Sequence, residues 1–337
     1  MKFVVYFFFS KIIFFSIFFQ KCIKKNLLYT NEFGFGDYVL YCCDIRRKLN
    51  HKTKIFCFSE LQNEIASFFF EKKHIINSFI LLPRFLNESH LGYHFLIKKD
   101  FFKPTIFTKL VGKNIRLIGS DACNLSKNPI QFMKKKVNSA KISSAVIEIL
   151  KKPTLCLYIK NFSKYSNNNN NINFQVRQTR NLNKIKRLLH FLSTKKINVI
   201  ILGKNKDHFI QLLPNSIKKG KFKNIFLLKD LSNDYSINDQ AYVALNSIGY
   251  IGSGSGANVF FGLCNKITIV IDFVFSSSDK YRTKNLIFLY KMIYDKKNKV
   301  LEKFKWSDSY NKKKHRIIET EFLDIKKTLI NKILKAY

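Results

Sequence analysis

Glycine and serine crowd into one short stretch of this chain, where their spacing favours anion binding. Five of the twelve glycines fall within residues 247–262, which read "SIGYIGSGSGANVFFG". The pattern predicts a strand over 247–252, a turn, and a helix starting near Ala257, so that backbone N–H groups at the helix N-terminus face a ligand. We expect a phosphate or diphosphate there, and a tight turn without a ligand is the alternative. The predicted binding residues are Ser253, Gly254, Ser255, Gly256 and Asn258.

Two known nucleotide-binding motifs differ in how well they fit this stretch. The chain has no G-x-x-x-x-G-K-[ST] sequence, which argues against an ATPase of the P-loop type. Gly252, Gly254 and Ala257 do fit G-x-G-x-x-A, and Asp272 ends the next predicted strand twenty residues after Gly252. That spacing leaves a dinucleotide-dependent enzyme using NAD(P) as an alternative. The predicted helix is short for that motif, and the motif normally opens the sheet instead of lying near its end.

The order of elements around the stretch predicts an α/β protein. In the first half we expect strands and helices to alternate, which is typical of a parallel sheet with crossover helices. The predicted strands are 26–32, 54–59 and 76–83, the predicted helices are 38–50 and 61–73, and residues 84–150 are mixed, with a strand at 114–119 and a helix near 129–150.

The second half repeats this alternation after Pro153. The predicted strands are 154–160, 197–203, 224–230, 247–252 and 267–272, and the predicted helices are 181–196, 208–217, 236–246, 257–265 and a C-terminal helix within 319–337. Two consecutive Rossmann-like domains account for this order better than one long sheet. We place them at 26–150 and 151–337, after an apolar segment at 1–25.

Composition limits the classes of function. Lysine and arginine number 60 against 22 acidic residues, a formal net charge of +38. Lysine, asparagine, isoleucine and phenylalanine are all abundant together, and the lysine pairs are spread along the chain. Because no zinc-finger, RNP or helix-turn-helix signature accompanies the charge, we do not expect sequence-specific nucleic-acid binding, but a general attraction to anionic surfaces remains. The seven cysteines contain no C-x-x-C pair and predict buried thiols, not a zinc site.

Residues 1–25 are strongly apolar, with lysine at positions 2, 11, 21, 24 and 25. This arrangement favours a helix lying on a membrane surface. A helix packed against the protein body and a spanning anchor are the alternatives, and the lysine in the middle of the run counts against the anchor.

The C-terminal half, in particular "TLCLYIK" (154–160), "IFLLKDLS" (225–232) and the glycine stretch, resembles GT-B glycosyltransferases of the bacterial surface-polysaccharide and heptosyltransferase-like type. The likeness covers roughly residues 150–275. It implies two Rossmann-like domains facing a cleft, with a nucleotide-sugar diphosphate bound at the glycine-serine turn. Where the family has His-x-Arg after a strand, this chain has Tyr158-Ile159-Lys160, so Lys160 would take the cationic role.

A second glycine turn, "NEFGFGDYVL" (31–40), is similar to the first strand-loop of heptosyltransferase-like enzymes. The resemblance implies that Gly34 and Gly36 line the acceptor cleft and that Asp37 is the catalytic base. A carboxylate suits this role because a sugar hydroxyl is a poor nucleophile until its proton is removed. Helix N-capping by Asp37 is the alternative, and one residue can do both.

The departing diphosphate needs positive charge around it. Lys160, Arg177, Arg180 and Lys204 follow or flank predicted strand ends and are the candidate cations, with solvated surface residues as the alternative. The chain has no Asp-x-Asp motif, so we expect no metal and no other cofactor. Asp230 and Asp239 either contact a ribose or cap helices, and capping is favoured.

These observations together predict a metal-independent glycosyltransferase that moves a sugar from a nucleotide-sugar donor to a saccharide or lipid-linked acceptor in cell-envelope glycan synthesis. The expected location is the cytoplasm, with peripheral attachment to the inner face of the membrane as a variant of it. An NAD(P)-dependent enzyme and a degenerate, non-catalytic binding protein are the alternatives.

Overall fold

The fold is taken from a computed structural model of the chain. It describes residues 27–28, 38–39, 42, 54–82, 127–138, 140–160, 179, 181–203, 210–211, 213–232, 236–274, 285–305, 308 and 310–337. The predicted helix at 1–25 and strand at 114–119 lie outside these ranges, and of the predicted helix 38–50 only residues 38, 39 and 42 are described, all helical.

The chain forms two compact units, Met1–Lys136 and Val137–Tyr337. The division falls fourteen residues before the boundary placed at 150. The segment that precedes Pro153 is bonded to the second unit: Ser143 N–H donates to a carboxylate oxygen of Asp239 at 3.0 Å, and the Asn198 side-chain amide donates to the Ile149 carbonyl at 2.8 Å.

The first unit contains a parallel three-stranded sheet in the order β1-β2-β3. Its strands are β1 (Leu27–Leu28), β2 (Lys54–Ser59) and β3 (Ile75–Leu82), and helix α1 (Glu60–Phe69) connects the last two. The Ser59 hydroxyl accepts from Gln62 N–H at 3.2 Å, which caps the helix directly after the strand. The predicted strand–helix–strand order is therefore confirmed in this part of the unit.

The second unit is built on a six-stranded sheet in which every neighbouring pair is parallel. The strands are β4 (Thr154–Tyr158), β5 (Asn198–Ile201), β6 (Ile225–Leu227), β7 (Gly249–Ser253), β8 (Ile267–Phe273) and β9 (Leu286–Tyr290). Their spatial order is β6-β5-β4-β7-β8-β9. The chain thus builds outward from β4 in one direction and then, starting at β7, in the other, which is the strand order of a doubly wound Rossmann fold.

Helices cover both faces of this sheet. They are α3 (Ser144–Leu150), α4 (Leu182–Ser193), α5 (Asn215–Lys218), α6 (Leu228–Leu231), α7 (Ile237–Asn246), α8 (Gly256–Leu263) and α9 (Phe322–Lys332), and an earlier helix, α2 (Lys127–Asn138), belongs mostly to the first unit. Apolar residues of α4 and α9, such as Leu188 and Leu329, share a core with Leu157 and Ile251. On the alternate face Tyr250 packs against Phe261 of α8, with ring centroids 4.9 Å apart. The predicted α/β class is confirmed.

Two predictions about the second unit need correction. The strand expected at 224–230 ends at Leu227, because residues 228–231 turn into α6. Four strands were not predicted: β9 and a separate antiparallel sheet made of β10 (Met292–Asp295), β11 (Val300–Lys303) and β12 (His315–Ile318), ordered β11-β10-β12. Among the described residues, no helix combines the length and apolarity that crossing a bilayer requires.

Candidate functional site

The glycine-serine stretch lies where the strand order of the six-stranded sheet reverses. Strands β4 and β7 are direct neighbours, and their pairing ends with Tyr158 opposite Gly252. Just beyond this point the Ser253 hydroxyl accepts a hydrogen bond from Lys160 N–H at 2.6 Å, which ties the two strand ends together. In open parallel sheets, ligands bind outside the carboxyl ends of the strands at such a reversal. The predicted residues 253–256, Asn258 and Lys160 therefore share one edge of the sheet, although they come from segments about ninety residues apart.

The glycines of the stretch have different reasons to be glycine. A Cβ on Gly252 would lie 2.0 Å from the Tyr158 carbonyl oxygen, and one on Gly249 would lie 2.8 Å from the Ile267 carbonyl oxygen. Close strand packing therefore requires both of these glycines. A Cβ on Gly254 would meet nothing closer than the Phe273 ring at 3.6 Å, and its φ is outside the left-handed region. Packing among the described residues leaves room for a side chain at 254, and a glycine there is compatible with the close approach of a ligand to the backbone.

The turn leads directly into the N-terminus of α8. Ser255 and Asn258 form a capping box, in which Ser255 N–H donates to the Asn258 side-chain oxygen at 2.5 Å. Asn258 is buried and thus shapes the turn. The N–H groups of Gly256 and Ala257 have no acceptor among the residues whose positions are described. Free N–H groups and the positive end of the helix dipole together form an anion site.

A buried ion pair lies one strand further along the same edge. Ile271 of β8 is opposite Ser253, and both carboxylate oxygens of the next residue, Asp272, accept a hydrogen bond from Lys184 Nζ, at 2.7 and 2.9 Å. Both side chains are almost completely buried. Asp272 has a φ of +49°, a strained value for a residue with a side chain, and Thr320 N–H holds its carboxylate at 2.9 Å.

Two more charges complete this buried ion cluster, which we define as Lys184, Asp272, Lys291 and Glu319. Lys184 Nζ also donates to Glu319 at 2.9 Å, and Lys291 Nζ reaches the other oxygen of Glu319 at 3.3 Å. Two cations therefore face two carboxylates. Burial lowers the pKa of Lys291, and the neighbouring carboxylates of Glu319 and Asp272 oppose this shift. The cluster fixes the segment before α9 against the carboxyl edge of the sheet.

The cluster also bears on the dinucleotide motif. In that motif the acidic residue about twenty positions after the first glycine binds a ribose hydroxyl. Here that residue is Asp272, and its oxygens are taken by Lys184 and Thr320. The motif also follows β7, the fourth strand of its sheet, and not the first. Both facts count against NAD(P) at this turn.

The two other acidic residues that were considered have structural contacts. Asp239 is buried and bonds Ser143 N–H and the Ser232 hydroxyl, while its own N–H donates to the Ser236 hydroxyl at 3.0 Å. Its carboxylate thus ties α7 to the segment before α3 and does not cap α7 itself, because Ser236 N–H donates to the Ser232 hydroxyl at 3.3 Å. Asp230 is exposed and pairs with Lys229 at 2.6 Å.

Several predicted site residues fall outside the described part of the chain. These are Asp37, Gly34, Gly36, Arg177, Arg180 and Lys204. Their proposed roles stay predictions. In the described ranges, no three histidine, cysteine, aspartate or glutamate side chains are grouped so that they could hold a metal ion.

Reasoning from the sequence missed the buried ion cluster, although one signal for it was present. Lys184 lies among Ile185, Leu188 and Leu189 on the apolar face of an amphipathic helix. A lysine at such a position must be paired when it is buried, so it predicts a carboxylate partner. Nothing local in the sequence identifies that partner, since Asp272 is 88 residues away.

No family model matches the chain, and no curated protein matches it. Among solved structures, the E. coli heptosyltransferase WaaC with ADP-2-deoxy-2-fluoro heptose is 9% identical, with 79% of this chain and 93% of that chain covered and a TM-score of 0.39. E. coli ADP-heptose LPS heptosyltransferase II is also 9% identical, with 79% and 90% covered and a TM-score of 0.41. Heptosyltransferases, the group that the sequence resembles, are thus among the solved structures similar to this chain.

Proposed function

We propose that this protein is a glycosyltransferase that binds the diphosphate of a nucleotide-sugar at the turn between β7 and α8. The observation that carries the proposal is the position of this turn at the strand-order reversal, with a glycine at 254 and the N–H groups of Gly256 and Ala257 at a helix N-terminus. Diphosphate is the anion that such N–H groups bind well.

The proposed chemistry is transfer of the sugar to a saccharide or lipid-linked acceptor in cell-envelope glycan synthesis. As the anomeric bond breaks, negative charge grows on the diphosphate, and the α8 N-terminus with Lys160, Arg177, Arg180 and Lys204 would stabilise it. Asp37 would remove the proton from the acceptor hydroxyl. No metal is assigned to this mechanism. The enzyme would work in the cytoplasm or at the inner face of the membrane, where segment 1–25 would add surface contact.

The first test is a thermal-shift titration of the full chain with UDP, GDP, CMP, ADP and NADH. A ligand that binds the native state raises its melting temperature, by an amount worth about 2.7 kcal/mol at a hundredfold excess over Kd. We expect a shift with one nucleoside diphosphate. A shift with NADH alone would favour the NAD(P)-dependent alternative, and no shift with any ligand would contradict nucleotide binding and favour the non-catalytic alternative.

A pair of glycine variants locates the binding site. Gly254→Ala places a methyl group at the turn, 3.6 Å from the Phe273 ring, and Gly262→Ala makes the same change within α8, where the Cβ would lie 3.5 Å from Leu286. If the diphosphate contacts the backbone at 254, the first variant should weaken nucleotide binding about tenfold, or about 1.4 kcal/mol. The second should bind like the parent. Equal affinity in all three proteins would place the nucleotide elsewhere.

The role of Asp37 is tested separately. Asp37→Asn keeps the size of the side chain and removes its ability to accept a proton, so transfer should fall at least about 100-fold while nucleotide binding is unchanged. Unchanged turnover would contradict the general-base assignment and leave the donor site intact. Loss of nucleotide binding would show that Asp37 acts on the donor or on folding instead.

A further inference from the structure

The antiparallel sheet gathers lysines that are separated in the sequence. Strand β10 runs antiparallel to both β11 and β12, and Asp295 at its end lies opposite Val300 on one side and His315 on the other. The turn at 296–299 and the turn before β12 therefore meet at the same end of the sheet. Two bonds join them: Lys296 N–H donates to the Lys314 carbonyl at 2.9 Å, and Lys296 Nζ donates to the Lys312 carbonyl at 3.1 Å.

We call this end of the sheet the basic tip. Its members are Lys296, Lys297, Lys299, Lys312, Lys313 and Lys314. All six are exposed, and none makes an ion pair with a residue in the described ranges. Because nothing within these ranges neutralises them, their charge is available to a partner.

The charge at the tip exceeds what the composition of the whole chain supplies. Nine of the 25 residues from Met292 to Arg316 are lysine or arginine and three are acidic, whereas the whole chain has 60 in 337. The density of cations is therefore about twice the average of this basic protein. The one carboxylate at the tip, Asp295, accepts from Lys297 N–H at 2.8 Å and from Asn298 N–H at 3.1 Å, so it is used to hold the turn in shape.

Apolar side chains are exposed next to these lysines. Val300 and Leu301 begin the edge strand β11 and are 44% and 52% exposed, and all four residues of the strand face solvent. An exposed apolar edge strand is a liability that proteins usually cover or charge. A soluble polyanion would use the lysines but would gain nothing from the two apolar side chains. A bilayer with anionic lipids uses both, because headgroups attract the cations and the interface accepts apolar groups.

We propose that the basic tip docks on the surface of an anionic phospholipid bilayer, with Val300 and Leu301 entering the headgroup region. The proposal assigns membrane contact to the second unit, and it is independent of the proposed glycosyltransferase activity because it requires no nucleotide. Because Asp295 already holds the turn in shape, the lysines need no folding step before they bind. Little conformational entropy is therefore lost on binding.

The test measures partition of the full chain onto vesicles without any nucleotide. Vesicles of phosphatidylcholine with about one third phosphatidylglycerol are compared with phosphatidylcholine alone. Each lysine near an anionic surface is worth about fivefold in binding, so Lys297→Glu, Lys299→Glu and Lys313→Glu combined should lower the partition coefficient at least about 100-fold. Phosphatidylcholine vesicles should bind the parent chain far more weakly.

A control with the same change in net charge separates the tip from the overall charge. Lys152→Glu, Lys196→Glu and Lys221→Glu combined alter exposed lysines that precede β4, β5 and β6, at the amino edge of the parallel sheet. We expect this variant to keep most of its binding to anionic vesicles. Equal losses in the two triple variants would overturn the proposal, because attraction would then follow net charge and not the tip.

A fluorescence reporter tests insertion. Trp306 is the sole tryptophan of the chain, so Leu301→Trp in a Trp306→Phe background reports on the edge strand alone. Anionic vesicles should shift its emission to the blue. The matched control is Leu323→Trp in the same background, at a residue that is 64% exposed on α9, and it should not shift. No shift at 301 would rule out insertion, and equally tight binding to soluble heparin would assign the tip to a polyanion instead.

Discussion

Two groups of charges in the second unit follow opposite rules. The buried ion cluster has two lysines and two carboxylates, each nitrogen within 3.3 Å of an oxygen. The basic tip has six exposed lysines and no ion pair among the described residues. Desolvation makes an unpaired buried charge very costly, whereas water stabilises an exposed one. The ion pairs of the cluster therefore stabilise the fold. The unpaired lysines of the tip leave positive charge that a partner can bind.

The largest effect that would test this contrast is removal of the central lysine of the cluster. Lys184→Met leaves Lys291 as the remaining lysine of the buried ion cluster, although the carboxylates of Asp272 and Glu319 both lie within 2.9 Å of the lost nitrogen. Breaking a buried pair in this way should lower the free energy of unfolding by about 3–5 kcal/mol. Urea denaturation of the full chain, parent against variant, measures this difference in the free energy of unfolding.

The control for this change is an exposed pair. The Lys151 Nζ lies 2.5 Å from Oε2 of Glu148, and the two side chains are 65% and 70% exposed. Lys151→Met should change the free energy of unfolding by less than about 0.5 kcal/mol. If the two lysine variants lost similar stability, burial would not be the reason for pairing, and the contrast between the two groups would fail.

The next effect extends the comparison to the glycines of the turn. Gly252→Ala forces a methyl group against the Tyr158 carbonyl oxygen, 2.0 Å away, and overpacking of this kind costs about 1–3 kcal/mol or more. Gly254→Ala meets ordinary contact distances and should stay within about 0.5 kcal/mol of the parent. Comparable melting temperatures for the two variants would mean that the strands at 252 can separate, and the packing explanation would be wrong.

Sequence reasoning was most successful where the signal is local. Strand β2 matches its predicted bounds of 54–59, and α7 begins one residue after the predicted start at 236, with Ser236 as its cap, since the Ser236 hydroxyl accepts from Asp239 N–H. The strand, turn and helix of the glycine stretch were also predicted. Period, cap and turn chemistry each depend on neighbours within a few residues, so a single sequence contains them.

The antiparallel sheet was missed because its signal is weak. Strands β10, β11 and β12 have four residues each, and none is fully buried, so neither a buried run nor a clear alternation marks them. Their turns consist of lysines, without the Asn-Gly or Asp-Gly pairs that indicate a hairpin. The basic tip was missed for the same reason, since the lysines at 296–299 and 312–314 become neighbours only when these strands pair.

The spatial arrangement around the candidate site was predicted in part, and the roles of its residues stay predictions. The glycine turn and Lys160 were both named, but their contact across the strand-order reversal depends on the strand order, which a list of elements does not determine. The partners of Lys184 lie 88 and 135 residues away, so the cluster could not be identified from spacing. The contact at the glycine turn and the buried ion cluster both depend on residues distant in sequence, so local patterns do not predict them.

A smaller effect concerns the pH dependence of stability. Burial lowers the pKa of Lys291 from its ordinary value of 10.5. Between the lowered pKa and 10.5 the unfolded chain binds more protons than the folded chain, so the contribution of Lys291 to stability rises with pH. Lys291→Met removes this rise, and the parent should gain stability relative to the variant as pH increases from 7 to 10.

The quantity to measure is the difference in stability between the parent and Lys291→Met at each pH. A difference is needed because buried thiols make stability fall as pH rises. Burial raises the pKa of Cys57 to about 12, so above its ordinary value of 9 the unfolded thiol ionises first and stability falls. That loss is common to parent and variant and cancels. A difference that does not change with pH would show that Lys291 keeps its ordinary pKa in the folded chain.

The smallest effect is expected at the basic tip. Lys297→Gln and Lys313→Gln combined remove two exposed cations that have no ion pair in the described chain, so the free energy of unfolding should change by less than about 0.5 kcal/mol. At low ionic strength the double variant should be slightly more stable than the parent, because the remaining lysines repel one another less. At about 1 M salt the Debye length falls to about 3 Å and the gain should vanish. A loss of more than about 1 kcal/mol would show that the folded chain depends on these lysines. The contrast between the paired cluster and an unpaired basic tip would then fail.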